Sequence, residues 1–332
     1  MRIGVNGLGR IGKLVLRRLF DQGLGAKVVW VNDVAGDAGM HAHLLEFDSV
    51  QGRWDRTIAH ASGRLTIAGH DVAVLRTACP ADLPLGDVDL VIDCTGRHKT
   101  EAKLASYRAA GVRVLVSAPV KEADALNIVY GINHDLYDAA RHDIVTAASC
   151  TTNCLAPVVK VMLDGFGIRH GMITTIHDAT NTQVMVDRPH SDLRRARSGL
   201  MNLIPTTTGS ASAIALIYPE LAGRLNGHAV RVPLLTGSLT DCVFELDRPT
   251  TPEEVNAAFE SAAAGALKGI LGLEHRPLVS GDFCGDPRSC IVDAPSTMVT
   301  GGTQVKIYAW YDNEWGYSCR VVDIAVMIAA AG

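Results

Sequence analysis

The sequence predicts an α/β protein in two parts: a doubly wound parallel sheet over residues 1–149, then an α+β domain over residues 150–312. Short β-rich runs alternate with amphipathic stretches in the first half, as in a parallel sheet covered by helices. A glycine-rich loop follows the first run directly, and the texture changes after Cys154 to longer strands and a long polar stretch. At 332 residues the chain can bury a large core in two domains. Its 48% hydrophobic and 20% charged content reads as globular.

Arg2–Asn6 is the first expected strand, and Ile11–Phe20 the first helix, with Ile11, Leu14, Val15 and Leu19 on one face. Further strands are expected at Val28–Asn32, Val88–Cys94, Val112–Ser117 and Ile144–Ala148. The second part begins with a helix at Leu155–Phe166 and a strand at Met172–His177. The polar, Arg-rich stretch from Asp178 to Arg197 is too long for an ordinary connection, and such loops usually carry function. Strands at Ala229–Pro233, Leu239–Leu246 and Gln304–Trp310 and a helix at Pro252–Ala264 complete the α+β part. Ser318–Ala331 is helical and apolar on one side, and residues 313–332 are expected to pack on the first domain. Neither a repeat nor a low-complexity linker interrupts the chain.

Net charge is −4 with no basic run, so a nucleic-acid surface is not expected. No apolar run approaches the ~20 residues of a membrane span. Met1-Arg2-Ile3-Gly4-Val5 leads straight into a strand without a signal-peptide layout, so a cytoplasmic protein without membrane contact is expected. The eight cysteines include no Cys-x-x-Cys pair. His41-x-His43 and Cys150-x3-Cys154 fall short of four closely paired ligands, and no metal is expected.

Gly7-Leu8-Gly9-Arg10-Ile11-Gly12 fits G-x-G-x-x-G between a strand and a helix. The first glycine permits the tight turn, the second lets backbone approach a pyrophosphate, and the third allows close helix–strand packing. Phosphate oxygens then meet the helix N-terminus. Asp33 ends the second strand, about 20 residues on, where a carboxylate takes the ribose hydroxyls and repels a 2′-phosphate. The first domain is therefore read as a Rossmann-type NAD-binding domain.

Cys150 stands between the β-branched run Ile144-Val145-Thr146 and the helical stretch from Leu155. A thiol in that junction meets the amides and dipole of a helix N-terminus, which favour a thiolate. A nucleophilic sulfur and a hydride acceptor in one chain imply oxidation of an aldehyde through a thioester. An inert buried thiol is the competing reading. Cys154, one helical turn on, reads as a packing residue.

Ala148-Ser149-Cys150-Thr151-Thr152-Asn153-Cys154, Asp192-Leu193-Arg194-Arg195-Ala196-Arg197 and Trp310-Tyr311-Asp312-Asn313-Glu314-Trp315-Gly316-Tyr317 resemble the phosphorylating glyceraldehyde-3-phosphate dehydrogenases, and the resemblance runs from Asn6 to about Asp323. It implies a homotetramer, with Cys150 as nucleophile and His177 as base. Thr180 and Arg231 would take the phosphate of glyceraldehyde 3-phosphate. Ser149, Thr151, Arg195, Thr208 and Gly209 would take the attacking inorganic anion. Arg10 and Ile11 would flank the pyrophosphate, Thr95 and Ser117 would approach the cofactor from strand ends, and Asn313, with Tyr317 nearby, would hold the nicotinamide carboxamide. The segment around Asp178–Arg197 would pack against a neighbouring subunit's cofactor site. Arg194 and Arg197 fit surface ion pairs or subunit bridges.

The pattern departs from the family at Asp178, beside the base, at Thr182, where an aspartate is usual, and at Arg188, where Leu or Ala is usual. Arg188 could soften the NAD preference that Asp33 enforces. His177-Asp178-Ala179-Thr180-Asn181-Thr182-Gln183, the run Ile204–Ala211, the run Leu239–Glu245 and the run Gly302–Tyr308 resemble a subgroup associated with arsenate resistance. There arsenate replaces phosphate, and 1-arseno-3-phosphoglycerate passes to an efflux permease. The alternative is ordinary glycolytic or gluconeogenic service giving 1,3-bisphosphoglycerate. Three other classes fit less of the chain: an erythrose 4-phosphate dehydrogenase, a semialdehyde dehydrogenase lacking the Trp310–Tyr317 block, and a non-enzymatic nucleotide- or RNA-binding protein.

Overall fold

A computed structural model describes residues 1–122 and 124–331. Gly332, included in the expected C-terminal segment, lies outside them. The chain divides into two compact units, Met1–Ser149 with Ser318–Gly332, and Cys150–Tyr317.

In the first unit the strands are β1 (Ile3–Asn6), β2 (Val28–Asn32), β3 (Ile58–Ala61), β4 (Arg64–Ile67), β5 (His70–Leu75), β6 (Leu90–Asp93), β7 (Arg113–Val116), β8 (Leu126–Asn127) and β9 (Ile144–Thr146). Among the described residues they form one sheet in the order β3-β4-β5-β2-β1-β6-β7-β9-β8. The run β5-β2-β1-β6-β7-β9 is parallel throughout. Its connectivity is the 3-2-1-4-5-6 order of a doubly wound dinucleotide fold, whose order reverses between β1 and β6. The core strands β1 and β6 are buried at every position, as both faces of a parallel sheet require. Helices α1 (Arg10–Asp21), α2 (Ala38–Glu46) and α3 (Glu101–Ala109) lie in the connections. Leu14, Val15, Leu16 and Leu19 of α1 are buried. The expected strands all occur, within one or two residues at their ends. The antiparallel β3-β4-β5 meander was not expected, because three of the four residues of β3 are exposed and carry no alternation.

Helix α4 (Cys150–Phe166) opens the second unit, followed by β10 (Ile168–His177), β11 (Ile204–Thr207), α5 (Ser210–Ile217), β12 (Leu225–Arg231) and β13 (Ser238–Leu246). Then come α6 (Pro252–Ala264), β14 (Leu271–Glu274), β15 (Cys290–Asp293), β16 (Met298–Thr300), β17 (Gln304–Tyr311) and α7 (Trp315–Ala330). Among the described residues the sheet order is β11-β12-β10-β13-β17-β15-β14, with β16 on β17. Ser238–Leu246 alternates buried and half-buried residues without a break, which fixes its register. The expected strand Ala229–Pro233 instead starts at Leu225 and stops at Arg231. The expected boundary after residue 312 shifts: Asn313–Tyr317 cluster with the second unit, and the division falls inside α7. Among the described residues no helix is long and apolar enough to cross a membrane, and no group of His, Cys, Asp or Glu is placed to hold a metal ion.

Candidate functional site

The glycine loop sits at the carboxyl end of β1, beside the strand-order reversal. Gly7 has φ +95°, and a Cβ there would lie 2.7 Å from the Thr95 amide nitrogen. At Gly12 a Cβ would fall 1.8 Å from the Gly7 carbonyl, so only glycine lets α1 approach the loop this closely. Gly9 differs: a Cβ would meet nothing within 4 Å. It is the N-cap of α1, caps no amide with a side chain, and lines a cleft with Asn6, Gly7, Asp33, Thr95 and His98. A helix N-terminus without a side-chain cap, reached over open space, fits a pyrophosphate.

Asp33 also lines this cleft. Its carboxylate accepts from the Leu8 amide at 2.7 Å and the Ala35 amide at 3.0 Å, which ties the glycine loop to the end of β2. Of the other predicted cofactor residues Thr95 lines the cleft, whereas Arg10, Ile11 and Ser117 are not among the residues that line it. The Arg10 guanidinium is paired with Asp48 at 2.5 Å, which holds α1 to its surroundings. Thr95 lines the cleft, but its hydroxyl donates to Asp93 at 2.6 Å. Ser117 is half-buried, and its amide donates to the Asp93 carbonyl at 2.9 Å. Ile11 is half-buried in the first turn of α1. Cys94 lines the cleft with its thiol pushed up to about 12 by burial, so it stays protonated.

Sequence reasoning missed a buried polar network behind the cleft. Asp93 is fully buried and accepts from Tyr107 at 2.8 Å, and it contacts His98 Nδ1 at 2.6 Å. Asn32 donates to Asn6 at 2.7 Å and accepts from the Thr77 amide at 2.8 Å. The available signal was positional, since these residues sit at or after the carboxyl ends of β1, β2, β5 and β6.

In the second unit, parallel β10 and β12 place His177 and Arg231 side by side as register partners at their carboxyl ends. The first residue of α4 supplies Cys150, whose Sγ lies 3.6 Å from His177 Nε2. The opposite ring nitrogen, Nδ1, is 3.0 Å from the Asp178 carbonyl, 2.9 Å from Asp178 Oδ1 and 2.8 Å from Arg231 Nη1. His177 is only 4% exposed. Burial pulls its pKa down, but Asp178 and Cys150 outweigh burial and raise it to about 9. Burial pulls the Arg231 guanidinium down, although Cys150 opposes this. A sulfur this close to an imidazole whose pKa is raised can be activated as a nucleophile.

Thr151 is brought into a different contact from the one expected. Its hydroxyl is 2.9 Å from the Tyr311 hydroxyl, which also meets Thr175 at 2.9 Å. That buried bridge ties α4 to β10 and β17. Ser149 immediately precedes α4. Cys154 is buried, with its Sγ 3.8 Å from the Ala309 carbonyl.

The remaining anion candidates cluster on the segment after β10 and around β11. Thr180 Oγ1 lies 2.9 Å from Thr182 Oγ1, and Arg195 donates to Thr182 at 3.2 Å. Arg195 also donates to Thr206 at 3.0 Å. Thr182, predicted only as a departure, thus joins Thr180 to Arg195. Thr208 donates to Ser210 at 3.0 Å, and Gly209 is the N-cap of α5. Arg197 pairs with Asp187 on the surface, Arg194 donates to the Pro205 carbonyl, and Arg188 is exposed. Asn313 is buried, with Oδ1 3.5 Å from Ser238 Oγ, and Tyr317 is buried in the first turn of α7. Asp312 accepts from the Glu314 and Trp315 amides and shapes this turn.

The two halves match two family models. The "Glyceraldehyde 3-phosphate dehydrogenase, NAD binding domain" covers residues 1–101, and the "Glyceraldehyde 3-phosphate dehydrogenase, C-terminal domain" covers residues 149–313. The chain is 57% identical to glyceraldehyde-3-phosphate dehydrogenase 3 of Nostoc sp., over 99% of this chain and 98% of that protein. It is 49% identical to glyceraldehyde-3-phosphate dehydrogenase 1 of Bacillus subtilis, over 100% of this chain and 99% of that protein. Identity to the glyceraldehyde-3-phosphate dehydrogenase of Streptomyces coelicolor is also 49%, over 99% and 98%. NAD is the cofactor that such a chain takes, and the glycine cradle accommodates it. With both halves matched and relatives this similar along the full length, the chain belongs to the glyceraldehyde-3-phosphate dehydrogenase family of oxidoreductases.

Proposed function

We propose that the chain oxidises glyceraldehyde 3-phosphate through a thioester on Cys150, which inorganic phosphate resolves to give 1,3-bisphosphoglycerate. The observation that carries this reading is the 3.6 Å approach of Cys150 Sγ to His177 Nε2. At neutral pH the raised His177 is an imidazolium, the partner a thiolate requires. Sulfur attacks the aldehyde carbon, and the imidazolium gives its proton to the developing alkoxide. One support of the ring's charge is then gone, because the sulfur is neutral in the adduct. His177 next takes the hydroxyl proton back as the carbonyl re-forms. NAD supplies the hydride acceptor for that step. Phosphate attack on the thioester releases the Cys150 thiolate and restores the ion pair.

Arg231 and Thr180 are the proposed partners of the substrate phosphate. Arg195, Thr208, Gly209, Ser149 and Thr151 are proposed for the inorganic anion, since guanidinium, amide and hydroxyl donors suit both. Thr182 joins this set through Arg195 and Thr180. Asn313 and Tyr317 are proposed for the nicotinamide side. Cytoplasmic residence and a homotetramer complete the reading. The apolar side chains exposed between residues 185 and 203 support assembly.

A second reading, arsenate as the preferred anion in arsenate resistance with an efflux permease downstream, rests on the runs His177–Gln183, Ile204–Ala211, Leu239–Glu245 and Gly302–Tyr308. The relatives' names favour the ordinary phosphorylating enzyme. Phosphate and arsenate share shape and charge, and a hydrogen-bonding site separates such isosteres weakly. NADH formation from glyceraldehyde 3-phosphate, with phosphate, arsenate or neither titrated, tests both. Comparable kcat/KM for the two anions supports the phosphorylating reading, and a large excess for arsenate supports the second. Sustained turnover without either anion rejects both.

A further inference from the structure

Asp178 has no role in the steps above, yet it occupies a place that needs one. It is 1% exposed, and among the described residues neither carboxylate oxygen receives a directed hydrogen bond. Oδ1 lies 2.9 Å from His177 Nδ1. A buried carboxylate without donors is costly unless a cation balances it. The imidazolium of His177 is the cation in contact. Asp178 is also fixed from behind, because its amide donates to Ser238 Oγ at 3.1 Å and that hydroxyl is 3.5 Å from Asn313 Oδ1. The same residue therefore stands between the base and the group proposed to hold the nicotinamide.

We propose that Asp178 is a positioning residue for the base: its carboxylate holds the Nδ1 edge of His177 so that Nε2 faces Cys150, and it balances the ring's charge. No bond is made or broken at Asp178. The proton that moves during the reaction travels between Nε2 and the substrate oxygen, and the carboxylate makes the ring a stronger acceptor when the hydroxyl proton is removed. This inference rests on the assignment of Cys150 and His177 in the proposed function.

The other groups facing this pair are accounted for. On α4, Cys150 raises His177. On β12, Arg231 approaches Nδ1 at 2.8 Å and opposes the ring's charge. It also donates to the Asp178 carbonyl at 3.1 Å. Tyr311 of β17 meets the ring edge-on with centroids 6.0 Å apart. For Asp178 itself burial raises the pKa most, His177 and Arg231 lower it, and Asp312 raises it. Two acceptor oxygens from Asp178 face Nδ1 against one guanidinium, which favours the ring with a proton on Nδ1.

Asp178→Asn in the full-length enzyme keeps the shape and removes the charge. The His177-dependent limb of the kcat/KM pH profile is expected to move down by about one pH unit or more, the usual effect of losing an adjacent opposite charge. The fall is expected in kcat rather than in KM for the aldehyde. A merely structural residue would lower the yield of active enzyme and leave the limb where it was, and an unmoved limb overturns the proposal. Should Asp178→Asn fail to fold, NMR titration of His177 in Cys150→Ser decides the matter, with its signal assigned by loss in a His177→Gln variant. With the thiolate gone, Asp178 is expected to keep the ring above its ordinary value of 6.5. A midpoint at or below that value overturns the proposal. Wild-type NADH formation by Cys150→Ser would instead reject the nucleophile assignment, a failure distinct from either of these.

Discussion

Cys150→Ser is expected to abolish NADH formation while leaving NAD binding, followed by fluorescence titration, unchanged, because the cradle at Gly7, Gly9 and Gly12 does not depend on the sulfur. His177→Asn is expected to lower kcat by ~10²–10⁴, the usual worth of a positioned acid–base group, with little change in KM. The same histidine makes a prediction about stability. Its folded pKa, about 9, lies above the ordinary 6.5. A raised group stabilises the fold fully below its unfolded value, and that stabilisation is lost as the pH climbs through the folded value. The Tm advantage of wild type over His177→Gln should therefore be greatest below about pH 6.5 and shrink through pH 9. An advantage that grew with pH would reverse the assigned charge state. Cys150 and the glycine loop were readable from sequence because their chemistry is local: a thiol at a strand–helix junction, and glycines at fixed spacing. Asp178 was visible as an oddity without a role, since its meaning depends on which way its neighbour's ring turns. The buried contact of the Thr151 hydroxyl was not foreseen for a similar reason. Its partner, Tyr311, stands on β17, distant in sequence, and only the folded sheet brings it to 2.9 Å.

The turn from β1 into α1 separates two uses of glycine that sequence spacing alone treats alike. Gly12→Ala forces a Cβ into the Gly7 carbonyl, from which it would lie 1.8 Å. Helix α1 must move off the loop, so both folding stability and NAD affinity should fall, the former by roughly the 1–3 kcal/mol typical of overpacking. At Gly9 a Cβ meets open space, and φ is −68°. Gly9→Ala should leave Tm nearly unchanged and weaken NAD binding alone, because the methyl group fills room that the pyrophosphate needs. Calorimetry of ligand binding beside thermal unfolding checks the pair. Equal losses of stability in both variants would mean that the open space at Gly9 is not a cofactor cradle. Elements with strong periodicity or high β-branching, such as α1, β2, β7 and β9, were legible within a residue or two. Strands β8, β14 and β16 were not: β8 spans two residues, β14 is interrupted by Gly272, and β16 is a three-residue arm paired to β17.

Exposed apolar side chains gather on one stretch of the second unit. Leu193 is 83% exposed, Met201 85% and Val186 79%, with Met185, Leu200 and Leu203 nearby in sequence. The stretch carries little regular structure beyond the bridge between Val184 and Ser198, yet Arg197–Asp187 and Ser198–Met185 contacts hold its backbone in a defined path. Large apolar side chains exposed this close together in sequence are of the kind that an interaction partner covers. The sequence marked this stretch as functional by its length, but its polar and Arg-rich composition concealed the apolar share. If a second copy covers it, wild-type protein should sediment at a multiple of the 35.3 kDa chain mass at micromolar concentration, a tetramer by the proposed reading. Val186→Asp combined with Leu193→Asp should shift it to smaller species, since each buried carboxylate would lose its hydration without a partner. Neither residue lies among the proposed catalytic groups, so any loss of activity should track dissociation across a dilution series rather than appear at all concentrations. Wild-type protein that sediments as a 35.3 kDa monomer over that range would leave the patch without a second copy and remove the support for a tetramer.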